Sequence, residues 1–275
     1  MLAELRERDA TGEIAEIYAE IRRLWAVPYV SSLQRHLATR PGWLPWTWTA
    51  LGPVFASGIA QTAAWRAADG LVVPPLAPIP RDALRVWGVD AAGERAIRSI
   101  CASFVRVSPV NLVLSGLLRR LLNGDPPGRA QPKAGWVPPS SVGPLPALVE
   151  PAALPPDEQA TLASLGTTVD GQPFVPGLYR MLATWPGLLA HLATVLRPQL
   201  ADAATLAAGQ RLLAAVDAEI PAVFAALPTL PTAPPMPAEK EFAGIRSALD
   251  TYRKTSPEMV VFGRMIGDAL PAADA

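Results

Sequence analysis

The chain repeats itself, and this constrains its fold more than any other feature. Residues 33 to 42 read LQRHLATRPG and residues 178 to 187 read LYRMLATWPG, seven of ten positions agreeing at an offset of 145, 178 minus 33. Further on, IRSICASFVRVSP at 97 to 109 matches IRSALDTYRKTSP at 245 to 257, with five of thirteen positions identical at an offset of 148, 245 minus 97. Two blocks in one order at nearly one offset predict two copies of an ancestral unit. The expected division is a first repeat over 1–124, a linker rich in Pro, Gly and Ser over 125–156, and a second repeat over 157–275.

Apolar residues recur at helical spacing, and no run alternates like a strand, so the fold class expected is all-α. Thr11 is placed to cap a helix carrying Ile14, Ile17, Tyr18, Ile21 and Leu24 on one face. A short helix from Ser31 or Ser32 and a long apolar one reaching about Ala68 are expected next. A further helix from about Asp90 carries Ile97, Ile100, Cys101 and Phe104. Ser108-Pro109 then reads as the cap of a new helix that ends at Asn123-Gly124. A copied helical unit covers its apolar face most economically against its twin, about a pseudo-twofold axis, as the subunits of a dimer do. Ligand pockets favour such an interface. Positions where the copies differ are therefore informative: Tyr29 against Phe174, Ser32 against Gly177, Asn111 against Met259, and Trp46 against His191.

Charge excludes one class of partner. The 24 basic and 24 acidic residues cancel and are scattered, so no basic footprint for nucleic acid is present. Pro41 to Trp65 carries no charge and is long enough to cross a bilayer. Pro45, Gly52, Pro53 and Gly58 interrupt it, so a buried segment rather than a membrane span is expected. The N-terminal stretch has no apolar core of the secretory kind, and the one cysteine, Cys101, offers neither a disulfide nor a thiolate metal site. Both readings fit the cytoplasm. His36 and His191 occupy unequal repeat positions without HExxH or a third ligand, so no metal is expected, and no dinucleotide or phosphate fingerprint calls for a cofactor. A homodimer is compatible with all of this.

TGEIAEIYAEIRRLWAVPYV, followed by HLATRPGWLPWTW, resembles the start of the group I 2-haloacid dehalogenases, and LATWPGLL at 182 to 189 resembles the matching turn of that family's second half. The resemblance implies an all-helical pseudo-dimer with its site between the repeats. It further implies hydrolysis of 2-haloalkanoic acids, in which an aspartate deprotonates water and an asparagine helps hold it. Carried over residue by residue, the aspartate position is Leu178, preceded by Gly177 where the family has serine. The asparagine position is Ser108. The substrate-lining tryptophan becomes Tyr29, and the phenylalanine three residues on becomes Ser32. Leucine accepts no proton, so the family's mechanism lacks its base.

Asp170, Glu13, Glu16 and Glu20 are the acids considered as substitutes, with ordinary surface acids as the plainer reading of all four. Serines at helix starts, Ser31, Ser32, Ser108 and Ser256, can present backbone N–H groups to a carboxylate or can simply cap. Arg35 and Arg180 match in the repeats and either bind an anion or form a structural pair. The residues expected around a small organic acid are Tyr29, Ser32, Arg35, Ser108, Asn111, Gly177 and Leu178. Tyr179 and Tyr252 are further residues that can shape or protonate a ligand. Three functions stay open: a diverged enzyme acting on a small organic acid, 2-haloacid hydrolysis with a relocated base, and a binding or scaffold protein that kept only the fold.

Overall fold

Thr11, in extended backbone, precedes α1 (Gly12–Trp25), whose Ile17, Tyr18, Ile21, Leu24 and Trp25 are buried as their spacing requires. Ala26, at φ 54, turns the chain out of the helix. This computed structural model describes residues 3–128, 130, 135–169, 172–229, 237 and 239–273. Next come α2 (Ser32–Leu37), α3 (Trp43–Ala56), α4 (Ile59–Asp69), α5 (Arg81–Val86) and α6 (Ala91–Leu122). The second half holds α7 (Pro156–Ala163), a hairpin of β1 (Thr167–Val169) and β2 (Gln172–Phe174), α8 (Gly177–Leu182), α9 (Pro186–Gln199), α10 (Ala203–Ala225) and α11 (Phe242–Ala269). The antiparallel hairpin, with Thr167 opposite Phe174, is the only sheet among the described residues. It departs from a purely helical expectation, being too short to show alternation.

Two expected helices differ from those found. The long apolar helix is broken into α3 and α4 at Gly58, which adopts φ +75. Trp136 packs against that glycine so closely that a Cβ there would lie 2.3 Å from its ring, so a side chain is excluded as well as strained. Conversely, Ser108-Pro109 starts nothing: α6 runs straight through it, and α11 runs through Ser256-Pro257 in the same way. A proline inside a helix costs about 3 kcal/mol. Every residue from Val107 to Leu118 is buried, and that tertiary burial offsets the cost. The anion site expected from helix starts at Ser108 and Ser256 is therefore absent.

α6 and α11 form the central pair. A Cβ on Gly263 of α11 would sit 3.1 Å from Val105 Cγ2 and 3.3 Å from the Cys101 carbonyl oxygen, so glycine is what lets the two helices approach. α6 is long and apolar enough to cross a membrane, but 83% of its apolar window is buried inside the protein. Its first turn is anchored at Asp90, whose side chain accepts from Gly93 N at 2.7 Å.

Glu94, one turn on, is 6% exposed and gathers three guanidinium groups: Arg81 and Arg98 at 3.2 Å and Arg85 at 3.5 Å. Hydrogen bonding from Arg81, with Arg98 beside it, holds the Glu94 carboxyl below its ordinary 4.5 against the opposing effect of burial. A carboxyl lowered in the folded state stabilises above its unfolded pKa, and that stability is lost as pH falls through the folded value. Glu94→Gln is thus expected to be less stable than the wild type at neutral pH, by an amount that shrinks below the ordinary value of 4.5. Urea midpoints measured across that pH range check this.

Candidate functional site

Residues of both halves enclose a cleft of about 70 Å³. The first half supplies Tyr29 and Ser31 from the turn before α2, Ser32 and Arg35 from α2, and Phe104, Val107, Ser108 and Asn111 from α6. The second half supplies Phe174, Gly177 and Met181 around α8, and Tyr252, Thr255, Ser256 and Met259 from α11, while Leu148 of the connecting segment closes one side. At 10–15 Å³ for each water-sized group, this is room for about five such groups, the scale of a three-carbon acid. A second chamber of about 230 Å³ adjoins it through Tyr29, Arg35, Leu148 and Met181.

The connecting segment earns its length by wrapping the molecule. Arg106 donates to the Ser140 carbonyl at 2.9 Å, and Val142 N donates to Ala26 O at 3.2 Å. Val149 N then donates to Arg180 O at 3.4 Å, while Arg180 Nε returns to Val149 O at 3.0 Å and Arg180 Nη2 pairs with Glu150 at 3.1 Å. Arg180 is thus committed to the connecting segment and does not line the cleft. Arg35 has a similar frame, with Leu5 N on its carbonyl at 3.0 Å and Glu4 Oε2 at 2.6 Å from Nη2. The difference lies in where it points: Arg35 lines the cleft, and its buried Nε has no protein partner.

Several other buried polar atoms here lack protein partners: Tyr29 OH, Ser31 Oγ and Tyr252 OH. The Tyr252 hydroxyl lies beside that of Ser32 without a well-formed hydrogen bond. Burial raises the pKa of both tyrosines, with Arg35 lowering it and nearby glutamates raising it, so both remain neutral donors. Asn111 Oδ1 is engaged by Trp25 Nε1 at 3.2 Å and Gln34 Nε2 at 2.8 Å, which fixes the amide and leaves its NH₂ as the free function. No Asp or Glu lines the cleft among the described residues.

No protein-family profile matches the chain. It is 30% identical over 130 residues to a configuration-inverting 2-haloacid dehalogenase of Alcaligenes xylosoxydans xylosoxydans, a match spanning 46% of this chain and 44% of that enzyme. This is less than half of the relative's length. The fold is shared throughout: a D-2-haloacid dehalogenase mutant superposes with a TM-score of 0.75 at 17% identity, covering 98% of this chain and 96% of that one. Two further structures, a mutant with D-2-CPA and a D-2-haloacid dehalogenase with L-LA, superpose at 0.73 and 0.71, each with 18% identity and the same coverage. The chain therefore has the fold of the D-2-haloacid dehalogenase structures.

Within the dehalogenase-like frame, six of the seven expected residues, Tyr29, Ser32, Arg35, Ser108, Asn111 and Gly177, reach the cleft. Leu178 does not: it is 0% exposed and belongs to the core of α8 behind the wall. Gly177 matters for shape, since a Cβ there would fall 3.2 Å from Phe104 Cζ and 3.5 Å from Leu148 Cδ2. A serine at this position, as the family resemblance implies, would push Phe104 or Leu148 aside. Ser108 lines the cleft from mid-helix rather than from a helix start.

Of the substitute acids, Glu13 and Glu16 are exposed, and Glu20 accepts from Trp48 Nε1 at 2.6 Å. Asp170 lies outside the described residues. The carboxylate that sequence reasoning missed is Glu4, against Arg35. A lone Glu in a charged N-terminal stretch carries no periodic signal, and only the tertiary contact reveals it. His36 is buried with Nδ1 on Ala3 O at 2.8 Å, and His191 stacks on Trp87 at 4.4 Å. Burial lowers the pKa of both. Burial pushes the Cys101 thiol up to about 12, so it is an inert core group at neutral pH. No group of three or more His, Cys, Asp or Glu side chains that could hold a metal ion occurs among the described residues.

Proposed function

We propose that this dehalogenase-like chain binds a small organic acid in the cleft and does not carry out the aspartate-assisted displacement of its relatives. The observation that carries this reading is the polarity of the lining: Arg35 Nε and the Tyr29, Ser31 and Tyr252 hydroxyls lack protein partners, and no carboxylate lines the wall. Leaving a buried donor unmade costs about 1–3 kcal/mol, and a carboxylate can satisfy several at once. Such a wall binds and orients an anion and stabilises charge developing on its oxygens. It offers nothing to take a proton from water.

The reading also takes the two halves as diverged copies about a pseudo-twofold axis, with the acid held between them. Its support is the element order: 3-10 turns begin at Glu7 and Pro151, α1 and α7 at Gly12 and Pro156, and α4 and α10 at Ile59 and Ala203, each offset by 144, as in 156 minus 12. Contacts are reciprocal as well, with α2 on α11 and α8 on α6.

A second reading, hydrolysis with a relocated base, is favoured by one observation. Glu4 sits 2.6 Å from Arg35, and its charge acts on Tyr252. Its carboxylate is taken up by Arg35 and does not line the cleft, so Glu4→Gln is expected to leave chloride release at the same uncatalysed background as the wild type.

Melting shifts with propionate, 2-chloropropionate and the uncharged propionamide test the first reading. The acids should raise the melting temperature and the amide should not. Tyr29→Phe and Tyr252→Phe are expected to reduce that shift, while the unliganded variants stay as stable as the wild type or gain about 1 kcal/mol through removal of an unpaired buried hydroxyl. Equal shifts with acid and amide would contradict the reading.

A further inference from the structure

A larger cavity than the cleft lies elsewhere. About 480 Å³ opens between β1, the end of α9, α10 and α11, within the size range of small-molecule pockets. α11 separates it from the cleft, presenting Tyr252, Ser256 and Met259 to one and Lys254, Pro257, Glu258 and Val261 to the other. The wall is mainly apolar, with Leu200, Leu213, Val261 and Phe262 lining it, and Leu206, half exposed, forming part of it. Glu258 is the only carboxylate on this wall among the described residues. Its Oε1 accepts from Tyr179 OH at 2.9 Å, and no other hydrogen bond to it is found among the described residues.

We propose that this cavity is a second binding site, for an apolar molecule carrying one amino group, with the Glu258 carboxylate as its anchor. The groups facing Glu258 leave that role open. Arg253 is occupied by Asp217, at 2.5 and 2.7 Å from its Nη2. Lys254 is exposed, and its charge favours the ionised Glu258 from a distance, with no ion pair between them within 4 Å found among the described residues. Tyr179 stays a neutral donor, its pKa raised by burial and by Glu258. A carboxylate ligand would meet the Glu258 charge, and an alcohol would leave that charge half-buried and unpaired. An ammonium group meets it with the opposite charge, while the rest of the molecule covers the leucines. Burial raises the Glu258 pKa in the unliganded protein, so binding of the cation is linked to loss of that proton.

Calorimetric titration of the full chain with phenethylamine, 2-phenylethanol and 3-phenylpropionate tests this. The amine should bind at one site, about ten- to hundredfold more tightly than the other two, and its affinity should rise with pH as Glu258 ionises. Glu258→Gln keeps the shape and an acceptor for Tyr179, and should remove the preference for the amine. Leu213→Trp fills the cavity with Glu258 in place and should block binding. Neither variant should alter acid binding in the cleft. Equal affinity for amine and alcohol, an unchanged Glu258→Gln, or no binding of any probe would overturn the proposal.

Discussion

Leu178→Asp, the substitution that puts an aspartate where the family resemblance implies the base, is expected to unfold the protein more readily without creating activity. Leu178 is fully buried and contributes to the core rather than to the cleft wall. The variant loses a leucine's burial and gains a carboxyl with no partner, together about 3–5 kcal/mol. The sign of its pH dependence follows: burial raises the new carboxyl's folded pKa, so the destabilisation is smallest in acid and grows as pH rises through the unfolded aspartate value. Denaturant titrations at acid and neutral pH measure this. A variant as stable as the wild type that also releases chloride would place position 178 on the cleft.

Arg35→Met should have the other large effect, and on two observables. Arg35 is the only cation on the cleft wall among the described residues, and its side chain and that of Glu4 are 12% and 16% exposed. Removing it should weaken small carboxylates about a hundredfold and leave neutral amides unchanged, since a charge-assisted hydrogen bond is lost. It also strands Glu4, and breaking a mostly buried pair costs about 3–5 kcal/mol. Arg35→Met with Glu4→Gln should recover most of the stability but none of the binding. That double-mutant cycle separates the structural share of Arg35 from its ligand share.

The fold was legible where local signals and packing agree. The stripe of Ile17, Tyr18, Ile21 and Leu24, the helix start near Asp90 and the Asn123-Gly124 stop all lie where they are observed, because each is decided within a few residues. Ser108-Pro109 and Ser256-Pro257 misled for the opposite reason: the local preference says helix start, and burial on every side overrides it. Gly58 breaks the apolar run on account of Trp136, a partner 78 residues away, 136 minus 58. The site was read in the same way. Tyr29, Ser32, Arg35, Ser108, Asn111 and Gly177, drawn partly from comparing the repeats and partly from the family resemblance, line one cleft. Leu178, carried over from the same resemblance as Gly177, lies in the core instead, since one step along α8 turns a side chain by about 100°. Glu4, Leu148 and the Glu258 cavity depend on contacts that no spacing encodes.

Titrating the wild-type chain with 2-chloropropionate, while following heat of binding and chloride in the same solution, tests the central claim most directly. The expected result is saturable binding that propionate displaces, with no chloride above the uncatalysed background. Chloride released in several-fold excess over protein would contradict it, as would the absence of any binding.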